Sequence, residues 1–333
     1  MDMFKIRGPV KLSGSIKVNG SKNASLPIMA ASLMANGTTR LKSVPRLADI
    51  NVCRELLESL GCVIEREECG DLTIDSSGIE HCVGEYEIVR KMRASICILG
   101  PLLGRFGRVE VSMPGGCAIG DRPVDIHLRG LEALGAKIRL ANGYIVAEAN
   151  GGLKGAYIFL GGSFGSTVLG TANVLMAAVL AKGRTVIECA ACEPEIADLA
   201  HFLNEMGAKI RGIGSPRLVI EGVDELEAVD YEVISDRIEA GTFMVGAAIT
   251  AGELTLENCR MDDMMAAVDK LRSIGVIVEK SNGGCVVSRI EPIRTADITT
   301  QPHPGFPTDL QAQFMALLAL GDGNSVVIEK IFP

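Results

Sequence analysis

The chain repeats itself, and this constrains its fold more than any other feature. The segments "LLESLGCVI", "LEALGAKI", "FLNEMGAKI" and "LRSIGVIV" share an apolar-x-x-apolar-Gly pattern, with glycines at Gly61, Gly135, Gly207 and Gly275, spaced 74, 72 and 68 residues apart. A second marker, a small-residue helix followed by a glycine and a short β-branched run, recurs at Gly37, Gly107, Gly183, Gly252 and Gly323, at intervals of 70, 76, 69 and 71. Two independent markers thus report one period, and self-similarity at a fixed period is the signature of a repeat architecture. A unit that cannot bury its apolar face alone packs against its fellows, so several units are expected to share a core. The count is uneven, with five copies of the second marker and four of the first.

Within each unit the order reads as strand, helix, hairpin, helix and strand. The glycine closing each apolar-x-x-apolar-Gly helix is expected just past the helix end in the left-handed conformation. "KIRLANGYIVAEA" and "VIVEKSNGGCVVS" turn at Asn142-Gly143 and Asn282-Gly283. Asn-Gly between alternating runs signals a two-residue hairpin, with positive φ expected at both positions. The second helix of each unit, as in "STVLGTANVLMAAVLA" and "GTFMVGAAITAG", is apolar all round and must lie inside its unit.

A chain of 333 residues exceeds the usual limit of one core, so two domains are expected. The net charge of -8 excludes general affinity for nucleic acid, which rests on many Lys and Arg neutralising phosphates. Any anionic ligand must be held by a local cationic cluster. Gly161 to Ala181 runs 21 residues without a charge, long enough to raise a membrane span. Its serines, threonines, asparagine and early glycines instead favour a Gly-rich loop feeding a buried helix. The N-terminus "MDMFKIRG" has no secretory h-region, and ten scattered cysteines without framework spacing read as reduced thiols, so a cytoplasmic protein is expected. Cys189-x-x-Cys192 lacks a second pair or nearby histidine and reads as two structural cysteines. His127 and His303 offer no metal-ligand spacing and also read as structural.

Five stretches carry candidate chemistry. In "SMPGGCAIGDRPVDIH", two glycines let backbone approach a ligand before Cys117, and Arg122 favours its thiolate; the competing reading is a small buried hydrophobe. In "NGSKNASLP", Ser21 is a natural N-cap, and Lys22 with Asn23 opens a helix. A lysine there opposes the helix dipole and makes sense if a phosphate sits over the helix start; otherwise it is a solvated lysine. "GGSFGST", residues 161 to 167, has backbone N–H groups suited to cradling a diphosphate but lacks the P-loop Gly-Lys-Ser/Thr ending. Asp309, in "QPHPGFPTDLQAQF", and Arg93, in "KMRASI", lie near helix starts; by itself Asp309 reads as a dipole partner.

Together, "SKNASLP", "KMRASI", "MPGGCAIGDRPVDIH", "EPEIADL", "SDRIEAGTF" and "PHPGFPTDLQAQF" resemble the enolpyruvyl transferases, from Met1 to Phe332. The resemblance implies an inverse α/β barrel of βαβαββ-type units in two lobes, one spanning 22–230 and the other 1–21 plus 231–333. It implies transfer of the enolpyruvyl group of phosphoenolpyruvate to UDP-N-acetylglucosamine, in peptidoglycan synthesis, with no metal and no cofactor. Lys22 and Asn23 would hold phosphoenolpyruvate, with Arg122 sharing its charge. Arg93, the run Arg122, Pro123, Val124, Asp125 and Ile126, the loop Gly162, Ser163, Phe164 and Gly165, and Asp309 with Ile331 would line the sugar-nucleotide site. Cys117 would donate a proton to phosphoenolpyruvate, and Asp309 would take one from the sugar hydroxyl.

The family pattern continues past "SVVIEKIFP", so the second lobe is expected to lack its last part and to leave an open apolar face. Two readings remain: an active enolpyruvyl transferase, and an inactive remnant that still binds UDP-sugar.

Overall fold

The computed structural model describes residues 3, 5–68, 70–113, 124–163 and 165–332. The chain opens with β1 (Ser13–Lys17), α1 (Lys22–Ala31), β2 (Thr38–Lys42), α2 (Ala48–Ser59), β3 (Val63–Arg66) and β4 (Leu72–Asp75). There follow β5 (Val83–Gly84), α3 (Tyr86–Val89), α4 (Leu99–Phe106), β6 (Arg108–Ser112), α5 (Asp125–Ala133), β7 (Lys137–Ala141) and β8 (Tyr144–Glu148). Next come β9 (Tyr157–Phe159), α6 (Val168–Val179), β10 (Arg184–Glu188), α7 (Pro194–Glu205), β11 (Lys209–Arg211), β12 (Arg217–Glu221) and β13 (Asp230–Glu232). The last stretch holds α8 (Arg237–Ile249), β14 (Glu253–Glu257), α9 (Met265–Ser273), β15 (Ile277–Ser281), β16 (Gly284–Ser288), β17 (Ile298–Thr299), α10 (Gln311–Leu318) and β18 (Val327–Ile328).

The period seen in the sequence is a four-stranded sheet built four times. The strand orders are β13-β2-β4-β3, β5-β6-β8-β7, β9-β10-β12-β11 and β1-β14-β16-β15. In every copy the edge strand pairs parallel to its neighbour, and the other two strands form an antiparallel hairpin. A fifth, partial copy supplies the parallel pair β17-β18.

The chain divides into two compact units. The larger is Gly20–Ile234, and the smaller joins the residues up to Asn19 with Ser235–Ile331. In the larger unit, α1 buries every residue from Ala24 to Ala31, α4 every residue from Leu99 to Leu103, and α6 every residue from Gly170 to Val179. α2, α5 and α7 bury one face each. The uncharged stretch is therefore a loop feeding a buried 12-residue helix, and among the described residues no helix is long and apolar enough to cross a membrane. The smaller unit has its own core, in which Phe306 and Phe314 meet edge to face at 4.8 Å.

All four marker glycines have positive φ, from 94° at Gly135 to 107° at Gly61. Each closes a Schellman cap: Gly61 N–H donates to Glu58 and Cys62 N–H to Leu57, and the same pair of bonds recurs at Gly135, Gly207 and Gly275. The Asn142-Gly143 hairpin has both residues at positive φ, 53° and 80°. At Asn282-Gly283 only the glycine does, at 76°, because a turn with glycine in its third position needs just one such residue.

α8 departs from the expectation of full burial. Thr242 is exposed and Phe243, Gly246 and Ile249 are half-buried. α10 likewise leaves Met315 51% exposed, and Leu320 and Val326 are similarly open. The physical reason is a smaller set of inner helices: the larger unit packs α1, α4 and α6 together, whereas the smaller packs only α8 and α10.

Candidate functional site

In the larger unit, Ser21 caps α1, its side chain accepting from Ala24 N–H at 3.3 Å, so Lys22 is the first helical residue. Lys22 Nζ lies 3.3 Å from Asp49 Oδ2, a carboxylate in the first turn of α2. The lysine that opposes the dipole of its own helix is thus oriented by the neighbouring one. Asn23 sits beside it, half-buried. Arg93 opens a short 3-10 turn (Arg93–Ile98) that runs into α4 and is half-buried as well.

Asp125 begins α5, preceded by the buried Val124. Ile126, in the same turn, approaches the loop at residue 162 so closely that a Cβ on Gly162 would stand 2.7 Å from Ile126 Cδ1. A side chain at Gly162 would push the Ile126 methyl aside. Arg129, one turn on, fastens the loop from the other side, donating from Nη2 to the carbonyls of Phe159 and Gly161 at 3.2 and 2.9 Å. Within the loop, Gly162 N–H donates to Gly165 and Gly165 N–H to Gly162. Those two amides are spent on a tight turn, which narrows the expected diphosphate cradle to the other N–H groups. Ser163 and Gly165 are exposed.

Beneath these residues a fully buried amide joins three helices and a turn. Asn173 Oδ1 accepts from Gly100 N–H at 2.8 Å, and its Nδ2 donates to the Ile96 carbonyl at 3.1 Å and to His127 Nδ1 at 3.0 Å. Because Nδ1 accepts, the imidazole proton sits on Nε2. Burial pulls the His127 pKa down to about 4, assisted by the positive charge of Arg93 and opposed by Asp125. The histidine is therefore a neutral packing element, as the sequence suggests. It ties the starts of α5 and of the 93–98 turn into one rigid corner.

In the smaller unit, Asp309 lies in a 3-10 turn (Thr308–Leu310) leading into α10 and is exposed. Glu329 organises its surroundings: Oε2 accepts from Thr308 Oγ1 at 2.8 Å, and Oε1 accepts from Thr300 Oγ1 at 2.7 Å and from Ile331 N–H. One carboxylate thus holds both the Asp309 turn and Ile331. Cys117, Arg122, Pro123 and Phe164 lie outside the described residues.

The positioning residues Asn173, Arg129 and Glu329 escape sequence reasoning. Arg129 carries one faint signal, its place four residues after Asp125 on a single helix face. Asn173 stands out only as an amide inside an otherwise apolar helix.

Four-stranded sheets repeated around buried helices, with cations at the starts of two of those helical segments, define an inverse α/β repeat protein. The profile of EPSP synthase (3-phosphoshikimate 1-carboxyvinyltransferase) matches residues 6–333. The chain belongs to that family of carboxyvinyl transferases. It is 50% identical over 333 residues to the UDP-N-acetylglucosamine 1-carboxyvinyltransferase of Methylacidiphilum infernorum and 51% identical to that of Trichlorobacter lovleyi. In both cases the match covers 100% of this chain and 78% of the relative. Among solved structures, the enolpyruvyl transferase NikO from Streptomyces tendae superposes with a TM-score of 0.84 at 21% identity, over 98% of this chain and 77% of that one. EPSP synthase from Acinetobacter baumannii does so with a TM-score of 0.69 at 20% identity, over 96% and 74%. The resemblance seen in the motifs and the inverse α/β fold expected from it both hold.

Proposed function

We propose that this chain transfers the enolpyruvyl group of phosphoenolpyruvate to the 3-hydroxyl of UDP-N-acetylglucosamine with release of inorganic phosphate, the first committed step of peptidoglycan synthesis. The observation that carries this reading is identity of about one half along the whole chain with enzymes bearing that name. The reaction breaks the C–O bond of an enol phosphate. Protonation of C3 leaves positive character at C2, and the sugar hydroxyl adds there to give a tetrahedral ketal. Loss of a proton from C3 then expels phosphate and restores the double bond.

The protonation of C3 and the deprotonation of the hydroxyl each fall to a group this sequence supplies. Cys117 donates the proton to C3 and is also able to add covalently at C2, a thiol preceded in the sequence by two glycines and followed five residues on by Arg122. Asp309 accepts the proton of the 3-hydroxyl. Lys22, Asn23 and Arg122 hold the carboxylate and phosphate of phosphoenolpyruvate. Arg93, the run 122–126, the loop 162–165 and Ile331 line the sugar nucleotide. What supports the last assignment is that Ile126, Asp125 and the Gly162 turn meet at one corner braced by Asn173 and Arg129.

In this reading the lobe at 22–230 carries Cys117 and the cations, and residues 1–21 with 231–333 carry Asp309 and Ile331. The eight described cysteines are free thiols, in keeping with action in the cytoplasm. The test is phosphate release by the purified chain given both substrates. No release from folded protein sinks the proposal, and retained binding of UDP-N-acetylglucosamine in that case marks an inactive binder.

A further inference from the structure

A second cationic feature of the larger unit takes no part in the proposed reaction. Arg46 in the loop before α2, Arg54 on the second turn of α2 and Arg66 at the end of β3 line one open cavity of about 470 Å³, together with Asn51, Glu67 and Glu68. In a chain carrying -8 overall, three guanidinium groups drawn from three elements around one cavity require a reason.

Of the two glutamates in the lining, Glu67 is engaged by an arginine from outside the trio. Arg40 Nη2 takes Glu67 at 2.7 Å and also binds Asp71 at 3.0 Å. Arg66 is fixed by neutral backbone, Nη1 donating to the carbonyls of Gly70 and Val44 at 2.8 and 3.0 Å, so its position is set without a carboxylate partner in hydrogen-bond contact among the described residues. Arg54 meets Glu58 through Nε at 3.1 Å. Burial, then repulsion from Arg46 and Arg54, lowers the Arg66 pKa, a sign that the three charges feel one another. An anion placed among them removes that repulsion, and guanidinium forks match phosphate oxygens in geometry.

We propose that this cavity is a binding site for a phosphate-bearing anion, held by Arg46, Arg54 and Arg66 with Asn51 as a neutral donor. The same end of α2 carries Asp49, the partner of Lys22, although neither residue lines the cavity. The volume exceeds that of free phosphate and leaves room for a phosphate monoester.

The test is equilibrium binding of inorganic phosphate and, separately, of adenosine 5′-monophosphate to the full chain. It is run on the wild type, the Arg46→Ala/Arg54→Ala double variant and Lys22→Ala. Arg46 and Arg54 are exposed, so the double variant is expected to keep its thermal midpoint, checked by circular dichroism. Loss of two charge-assisted contacts should weaken the cavity site roughly a hundredfold, while Lys22→Ala leaves it in place. Tighter binding of the monophosphate identifies a phosphorylated metabolite as the occupant, and equal binding identifies free phosphate. Binding unchanged in the double variant, or no binding of either probe outside the site removed by Lys22→Ala, overturns the cavity proposal without touching the proposed reaction. Conversely, phosphate binding lost only in the double variant leaves the cavity standing and removes Lys22 from its assigned role.

Discussion

Acidification should loosen this protein through one histidine. His127 is buried against Asn173, keeps its proton on Nε2, and has a pKa pulled from 6.5 to about 4 by burial and Arg93. Unfolded, the same imidazole titrates near 6.5. Between those two values the unfolded chain binds a proton that the folded chain refuses, so the stability contributed by this site is whole above about pH 6.5 and is lost as pH falls toward 4. The slope reaches about 1.4 kcal/mol per pH unit, and the full gap corresponds to roughly 3 kcal/mol, a sizeable share of a domain's net stability. Carboxylates titrate over the same range, so the informative quantity is a difference. Urea unfolding of the wild type and of His127→Gln, which has no charge to gain, should diverge by about 3 kcal/mol between pH 7 and pH 4. A stability difference that stays flat over that range, or a His127 ring resonance titrating near 6.5 in the folded protein, refutes the reasoning.

Burial pushes the thiols of Cys62 and Cys97 up to about 12 and that of Cys53 higher still, so limiting iodoacetamide at pH 7 should label Cys117 well before these three, read by peptide mass spectrometry. Gly100→Ala should destabilise the larger unit by about 3 kcal/mol in chemical denaturation, because the new Cβ would stand 2.2 Å from the Asn173 carbonyl oxygen, a backbone atom with nowhere to go. Asp309→Asn should lower kcat by roughly 10²–10⁴-fold with little change in the affinity for phosphoenolpyruvate, as removal of a general base does; unchanged turnover excludes it from that role. Glu329→Gln should act more mildly, raising KM for the sugar nucleotide by loosening Ile331 and the Asp309 turn, and a wild-type KM would count against the bracket described above.

The repeat was legible because its signals are local. A left-handed glycine must close each outer helix whatever surrounds it, so Gly61, Gly135, Gly207 and Gly275 mark the period in the sequence as clearly as in the fold. The loop before α6 and the cap at Ser21 are equally local. What the sequence hides is contact between distant positions. Nothing near Lys22 announces Asp49 as its partner, and nothing in α6 announces that Asn173 reaches a turn 77 residues earlier and a histidine 46 residues earlier. Counting glycine N–H groups is also incomplete at the Gly-rich loop, where those of Gly162 and Gly165 already donate to each other's carbonyls. The burial of α8 was overestimated for a related reason: an all-apolar helix implies a surrounding shell but does not state how many helices form it.

The sheet of the smaller unit contains a long delay. Ser13 on β1 pairs with Glu253 on β14, and every residue between Gly20 and Ile234 belongs to the other unit. At about 5–20 residues per second of synthesis, the first strand to leave the ribosome waits roughly 12–50 s for its neighbour, while the larger unit has every one of its own strands as soon as β13 emerges. During that interval an unpaired strand edge stands open to any chain that passes. The five residues of β1 are short and mostly polar or small, with Lys17 at the end, the composition that keeps a waiting edge from finding the wrong partner.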